Sequence, residues 1–154
     1  MGGYYDLFLS LELQPDLPEE ILHEIRWHLR LTDEPPTEFR AFSAPDWYDE
    51  TPYPFFNGTT GSHAFDGVDV TALLPATHRL YPDGRQRWLM TVRSCVHEDE
   101  LGYAMDLVRW LASYATTTGW IGYLGYTADP APKFMYYVDG TLKFREPAGP
   151  HRAS

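Results

Sequence analysis

Hydrophobic and polar residues alternate along Tyr4–Leu13, and this is the clearest pattern in the chain. Tyr5 and the four leucines that follow at every second position would share one face of a strand. The other face would carry Tyr4, Phe8 and three polar residues. Because successive strand residues point to opposite sides, this alternation predicts a strand with one buried face.

A helical spacing follows the first strand. At 100° per residue one face collects the apolar side chains and a histidine: Leu17, Ile21, Leu22, Ile25, His28 and Leu29. Asp16 stands where a capping residue is expected, and Glu19 stands where a capping box places its acid. We therefore predict a helix capped by Asp16, with Trp27 unexpectedly on the face opposite its core residues.

The second half of the chain repeats this order of elements. Alternation predicts a strand over Arg87–Val96, and an apolar stripe behind an acidic start predicts a helix over residues 98–116. Three further strands are predicted over Gly119–Thr127, Lys133–Val138 and Thr141–Arg145, with an Asp139-Gly140 hairpin turn before the last.

Together these elements predict an α+β fold, in which an antiparallel sheet carries two helices on one face. Ile25-Arg26-Trp27 resembles Val108-Arg109-Trp110, and each tripeptide lies in a helix that follows an alternating strand. Two successive strand-helix-strand units indicate, as a finer hypothesis, two ferredoxin-like β-α-β halves.

Residues 32–67 form an unusual segment between the two halves. Five prolines prevent long regular elements there, yet eight aromatic residues are too many for a flexible linker. We predict a long aromatic and proline-rich insert loop inside one domain of residues 1–146, followed by a disordered tail over residues 147–154.

Charge narrows the range of partners. The chain of 154 residues has a net charge of −10, and residues 1–50 hold twelve acidic residues against three arginines. A field of this sign repels phosphate backbones and attracts cationic groups, so we expect no nucleic-acid partner. An acidic surface that serves only solubility is the alternative interpretation.

Other features set the expected compartment and chemistry. Cys95 is the only cysteine, so the chain can form no internal disulfide. The sequence has no signal-peptide pattern at its start and no apolar run long enough for a bilayer. It also lacks nucleotide-binding fingerprints. We expect a cytoplasmic protein with no membrane partner and no cofactor.

Aromatic residues outside the helical core faces define the candidate binding surface. Trp27 and Trp110 lie beside or opposite those faces, and an acidic aromatic run lies in the insert loop: Asp46, Trp47, Tyr48, Asp49 and Glu50. Aromatic faces next to carboxylates suit a basic side chain. We predict a non-catalytic binding or regulatory protein, similar in role to an immunity protein, that engages a basic protein partner. Cover within the chain and a homodimer through Trp110 are the alternatives.

A second hypothesis is a small-molecule-binding domain or enzyme, with a pocket between the sheet and the central loop. Cys95 and His97 would face the same side of a strand, and a cysteine–histidine pair is the minimum for thiol catalysis. His63 and His78 would be the further polar groups.

The same loop contains three residues of the types that bind metal ions. His63, Asp66 and Asp69 recur at intervals of three residues, and imidazole with carboxylate suits zinc, manganese or iron. Gly67 and a predicted strand at Val68–Leu73 interrupt the helix that would make this spacing meaningful. We therefore predict no metal site.

Overall fold

The structure is a computed structural model that describes residues 3–42, 53–77, 81–127 and 129–147. Across these ranges the strands are β1 (Tyr4–Leu13), β2 (Thr60–Gly61), β3 (Val68–Pro75), β4 (Trp88–His97), β5 (Gly119–Tyr126), β6 (Lys133–Val138) and β7 (Thr141–Arg145). The helices are α1 (Glu19–His28) and α2 (Leu101–Ser113). The strands form one antiparallel sheet in the order β2-β3-β4-β1-β5-β6-β7.

The central strand β1 divides the sheet into two faces. Leu7, Leu9 and Leu13 are 0% exposed and Leu11 is 3% exposed, whereas the residues that alternate with these leucines are only partly buried. The buried residues of α1 and α2 join these leucines in one hydrophobic cluster. The predicted α+β fold, an antiparallel sheet with two helices, is confirmed.

The two strand-helix-strand units interlock in the sheet. Helix α1 lies between β1 and β3 in the chain, and α2 lies between β4 and β5. In the sheet, however, β4 separates β1 from β3, and β1 separates β4 from β5. Each strand-helix-strand unit therefore has one strand of the other unit between its own two strands. The description of these units as ferredoxin-like halves stays a prediction.

The face of the sheet opposite the leucines, which we call the open face, carries neither α1 nor α2. Its central residues pair across the strands: Asp6 with Arg93, and Ser10 Oγ with Thr91 Oγ1 at 3.2 Å. The ring of Phe8 stacks on that of Tyr123, with 5.3 Å between ring centroids.

The prediction that Asp16 caps α1 is wrong. Pro18 occupies the N-cap position, and no side chain caps the helix there. Asp16 itself adopts a left-handed backbone with φ 59°, a conformation that aspartate tolerates. Its carboxylate forms an ion pair with Arg85 instead. Because two residues separate Asp16 from the helix, the turn directs its side chain away from the first helical amides.

The described part of the insert loop packs onto the domain through aromatic side chains. Phe42, Phe55 and Phe56 are 4%, 6% and 0% exposed and belong to the hydrophobic cluster. Residues 43–52 lie outside the described ranges, as does the predicted tail apart from Pro147. The boundaries of the domain and of the insert loop stay predictions.

A buried carboxylate fastens the first part of this loop to α1. Glu24 is 0% exposed, and its two oxygens accept hydrogen bonds from the backbone N–H groups of Arg40, at 2.7 Å, and Ala41, at 3.0 Å. His28 Nε2 lies 3.2 Å from the same carboxylate. A charged acceptor without these donors would be costly to bury, so Glu24 and the loop depend on each other.

We expect Glu24→Gln to destabilise the fold by about 2 kcal/mol, because one buried backbone N–H would lose its acceptor and face an amide donor. Chemical denaturation measures the free energy of unfolding. The matched control is Glu20→Gln, an exposed position on the same helix, which should change stability by less than about 0.5 kcal/mol. Equal effects of the two substitutions would contradict the anchoring role of Glu24.

Candidate functional site

A pocket of about 350 Å³ lies on α1, where the segment after the helix returns across the first turns of the helix. We call it the acidic pocket. Its lining consists of charged side chains and prolines: Glu19, Glu20, His23, Glu34, Pro35, Pro36, Thr37 and Arg40.

Hydrogen bonds at both ends of the returning segment form this pocket. At one end His23 Nε2 lies 2.8 Å from the carbonyl oxygen of Glu34. At the other end Glu24 holds the backbone N–H of Arg40. Pro35 and Pro36 restrict the backbone between these two points, because proline fixes the φ angle. The pocket is therefore positioned by the same carboxylate that fastens the insert loop.

Negative charge predominates around the acidic pocket. Three glutamates, Glu19, Glu20 and Glu34, face one guanidinium group of the lining, that of Arg40. Arg26 Nη1 compensates Glu19 from outside the pocket at 3.1 Å. Within the described ranges, Glu20 and Glu34 form no ion pair, and both residues are exposed. Two uncompensated carboxylates beside a concave surface are suited to an ammonium or guanidinium group.

Trp27 has cover within the chain. It is 3% exposed, and its ring lies 5.1 Å from the ring of Phe39 and 5.2 Å from that of His28, measured between centroids. Helix α1 is thus buried on two sides, by the sheet and by the insert loop. Trp27 is therefore covered by the insert loop in this structure, and its role in binding stays a prediction.

The other predicted binding residues are Trp110, on α2, and the acidic aromatic run of the insert loop. Trp110 is half-buried, packs against the hydrophobic cluster and makes an edge contact with Tyr114 at 5.4 Å between centroids. Its role in binding or dimerisation stays a prediction. The predicted acidic aromatic run lies outside the described residues: Asp46, Trp47, Tyr48, Asp49 and Glu50. His78 lies outside them too.

Three groups of the second hypothesis come together at the end of β4. The ring of Tyr4 lies 6.0 Å from that of His63 and 5.2 Å from that of His97, between centroids. Cys95 is 8% exposed, and the backbone of His63 lies close enough to its thiol to lower the pKa of this group. Sequence reasoning placed these groups near one another, and the described loop brings His63 to the strand.

Asp69 is, with Glu24, one of two buried carboxylates among the described residues, at 1% exposed. One oxygen accepts the backbone N–H of Cys95 at 2.9 Å, and the other accepts Asn57 Nδ2 at 3.1 Å. The Asn57 amide also donates to the carbonyl of Cys95 at 3.0 Å. The backbone pairing of β3 with β4 begins at Val70. At the preceding residue, the side chain of Asp69 makes the hydrogen bond to β4 instead.

His63, Asp66 and Asp69 are not gathered into one cluster in the structure. No group of three or more histidine, cysteine or acidic side chains among the described residues is arranged to hold an ion. The carboxylate of Asp69 is instead used by the backbone and by Asn57.

The microenvironment of Cys95 works against nucleophilic chemistry. Burial raises the pKa of the Cys95 thiol above its ordinary value, and the His63 N–H only partly opposes this effect. Asp69 and Asp6 raise the pKa further, because their negative charges disfavour a thiolate. At neutral pH the thiol is therefore protonated and a weak nucleophile.

A further charged cluster, which sequence reasoning missed, lies on the open face. Arg93 donates two hydrogen bonds, of 3.1 and 2.9 Å, to the Asp6 carboxylate. The guanidinium carbon of Arg93 lies 3.9 Å from the centre of the Phe65 ring. The carboxylate raises the pKa of the Arg93 guanidinium above its ordinary value. Burial, and then Asp6, raise the pKa of Tyr123, which donates to the same carboxylate. These charges neutralise each other within the face.

One signal in the sequence could have revealed the role of Glu24. Glu24 and His28 are separated by four residues on the edge of the apolar face of α1, so a buried pair was readable from the spacing. No comparable spacing in the sequence indicates the role of Asp69 or of residues 34–36, which line the acidic pocket. Their roles depend on a distant part of the chain.

No protein-family model, no curated protein and no solved structure matches this chain. Function has therefore to be inferred from the geometry and charge of the described residues. Within those ranges no helix is both long and apolar enough to cross a membrane.

We expect Cys95 to react with iodoacetamide more slowly than free glutathione at pH 7.5, because its raised pKa lowers the thiolate fraction. The rate should rise with pH, with a midpoint displaced to higher pH than that of glutathione. Mass spectrometry of the alkylated protein over time measures this rate. The urea-unfolded protein is the control and should react like glutathione. Faster reaction of the folded protein at pH 7.5 would contradict this assignment and favour a catalytic thiol.

Proposed function

We propose that this protein is a non-catalytic binding or regulatory protein that engages a basic protein partner in the cytoplasm, in the manner of an immunity protein. The observation that supports this proposal is the acidic pocket, in which Glu20 and Glu34 are exposed and form no ion pair among the described residues. The pocket lies in the part of the sequence that contains most of the net negative charge.

The size and walls of the pocket suit a single basic side chain. A volume of about 350 Å³ accommodates one lysine or arginine side chain. Pro35 and Pro36 would contact its methylene stem, and the carboxylates of Glu20 and Glu34 would bind its charged head. The surrounding acidic surface would accelerate association with a basic protein.

A fluorescein-labelled decalysine peptide tests whether this attraction is local. We expect the double variant Glu20→Lys/Glu34→Lys to weaken peptide binding by about tenfold, because two attractive contacts become repulsive. Fluorescence anisotropy at increasing NaCl measures the dissociation constant, which should rise with salt concentration.

The matched control is Asp66→Lys/Asp106→Lys, which makes the same change of net charge at exposed positions away from the pocket. This variant should weaken binding by less than about threefold, since only the long-range field changes. Equal losses in the two double variants would show that net charge alone attracts the peptide, and the acidic pocket would then not be the binding site.

A second candidate function is the small-molecule-binding domain or enzyme. It is supported by the approach of His63 and His97 to Tyr4 beside Cys95. The burial and raised pKa of the thiol make it the weaker candidate. A Cys95→Ser variant that loses a measured ligand or activity would favour this function over the first.

A further inference from the structure

Strand β7 ends the sheet, and one of its edges is unpaired within the part of the chain that the structure describes. It is the last strand in the sheet order, and among the described residues it pairs only with β6. An edge strand presents backbone N–H and C=O groups without partners, to which an extended chain can add. The chemistry of its side chains determines which chain would fit.

The two faces of β7 differ in character. Leu142 and Phe144 point to the helix-covered face, because Phe144 pairs with Met135, whose side chain is 0% exposed in the core. Lys143 and Arg145 point to the open face, opposite Tyr136 and Phe134 respectively.

The apolar side of the edge opens into a pocket of about 340 Å³. Phe144, which is 39% exposed, lines it together with Tyr5, Leu101, Met105, Leu124 and Tyr126, and the charged residues Asp129 and Lys133 complete the lining. A side chain on an added strand, next to Phe144, would therefore reach a mainly apolar cavity between β7 and the start of α2. Burial of a leucine-sized group there is favourable.

The other side of the edge is basic. Neither Lys143 nor Arg145 forms an ion pair within the described ranges, and both are exposed. The Arg145 guanidinium carbon lies 5.2 Å from the centre of the Tyr136 ring, which holds it over the open face. Acidic side chains on an added strand would lie directly beside these two cations.

We propose that β7 is a docking edge for an extended segment of a partner protein in which acidic and apolar residues alternate. The segment would add a strand to the sheet through its main chain. Its apolar side chains would enter the pocket beside Phe144, and its acidic side chains would pair with Lys143 and Arg145. This site is distinct from the acidic pocket and selects the opposite charge.

Charge argues against a second copy of this chain as the occupant. Antiparallel pairing of two β7 strands would set Lys143 and Arg145 against the same residues of the other copy, and like charges opposite each other are destabilising. The segment of this chain that does alternate acidic and apolar residues, β1, is already paired on both sides, with β4 and β5. Residues 148–154 contain no acidic residue.

The probe is a fluorescein-labelled peptide in which three glutamates alternate with three leucines between terminal glycines, and the control peptide replaces the glutamates with glutamines, which the acidic pocket does not attract. We expect the full-length protein to bind the acidic peptide about tenfold more tightly than the neutral one. Fluorescence anisotropy measures both dissociation constants. Hydrogen exchange followed by mass spectrometry should show new protection in residues 141–145 when the acidic peptide binds.

A charge exchange makes the test independent of folding defects. Lys143→Glu/Arg145→Glu should bind the acidic peptide about tenfold more weakly than the unmodified protein and should bind the neutral peptide with unchanged affinity. The matched control, Arg85→Glu/Arg109→Glu, changes net charge equally at exposed positions elsewhere and should leave the preference unchanged.

Three results would overturn the proposal. The first is equal binding of the two peptides, the second is binding without protection in residues 141–145, and the third is equal loss of binding in both double variants. A concentration-dependent dimer of the unmodified protein that Lys143→Glu/Arg145→Glu changes would identify a second copy as the occupant instead.

Discussion

The buried carboxylate of Glu24 determines how the chain is arranged on one side of α1. It lies at 0% exposure and binds two backbone N–H groups of the segment that returns across the helix. Those hydrogen bonds place Phe39 over Trp27 and Phe42 over His28, and they fix one wall of the acidic pocket. A buried charged group needs such hydrogen-bond partners because it has no contact with water. If the loop left α1, the Glu24 carboxylate would either be exposed to solvent or remain buried without its two backbone donors.

The sequence predicted the elements whose burial comes from a neighbouring sheet or helix. The strand predicted over Tyr4–Leu13 has the same bounds as β1, because hydrophobic and polar residues alternate wherever a strand buries one of its faces. Trp27 lies opposite the predicted core face of α1 and is nevertheless buried, because α1 is covered on two sides, by the sheet and by the insert loop. Periodicity is local information. The acidic pocket and the hydrogen bonds of Asp69 join residues far apart in the chain, and no spacing encodes them.

The charges of the molecule are divided between surfaces of different character. On the open face, Asp6 and Arg93 compensate each other across adjacent strands, while Lys143 and Arg145 at the edge are uncompensated in the described ranges. On α1, Glu20 and Glu34 are the uncompensated groups. One acidic and one basic surface on the same domain favour two charge-selective contacts over a single uniform field.

The use of the buried polar groups favours binding over catalysis. Glu24 and Asp69 are both committed to backbone amides, and the thiol of Cys95 is held protonated by burial. A catalytic group needs a free proton-transfer partner or an activated nucleophile in reach of a substrate. Among the described residues, charged groups that remain available lie beside the acidic pocket on α1 and on the edge strand β7. Charged groups in such positions are suited to the charge-selective binding of a partner.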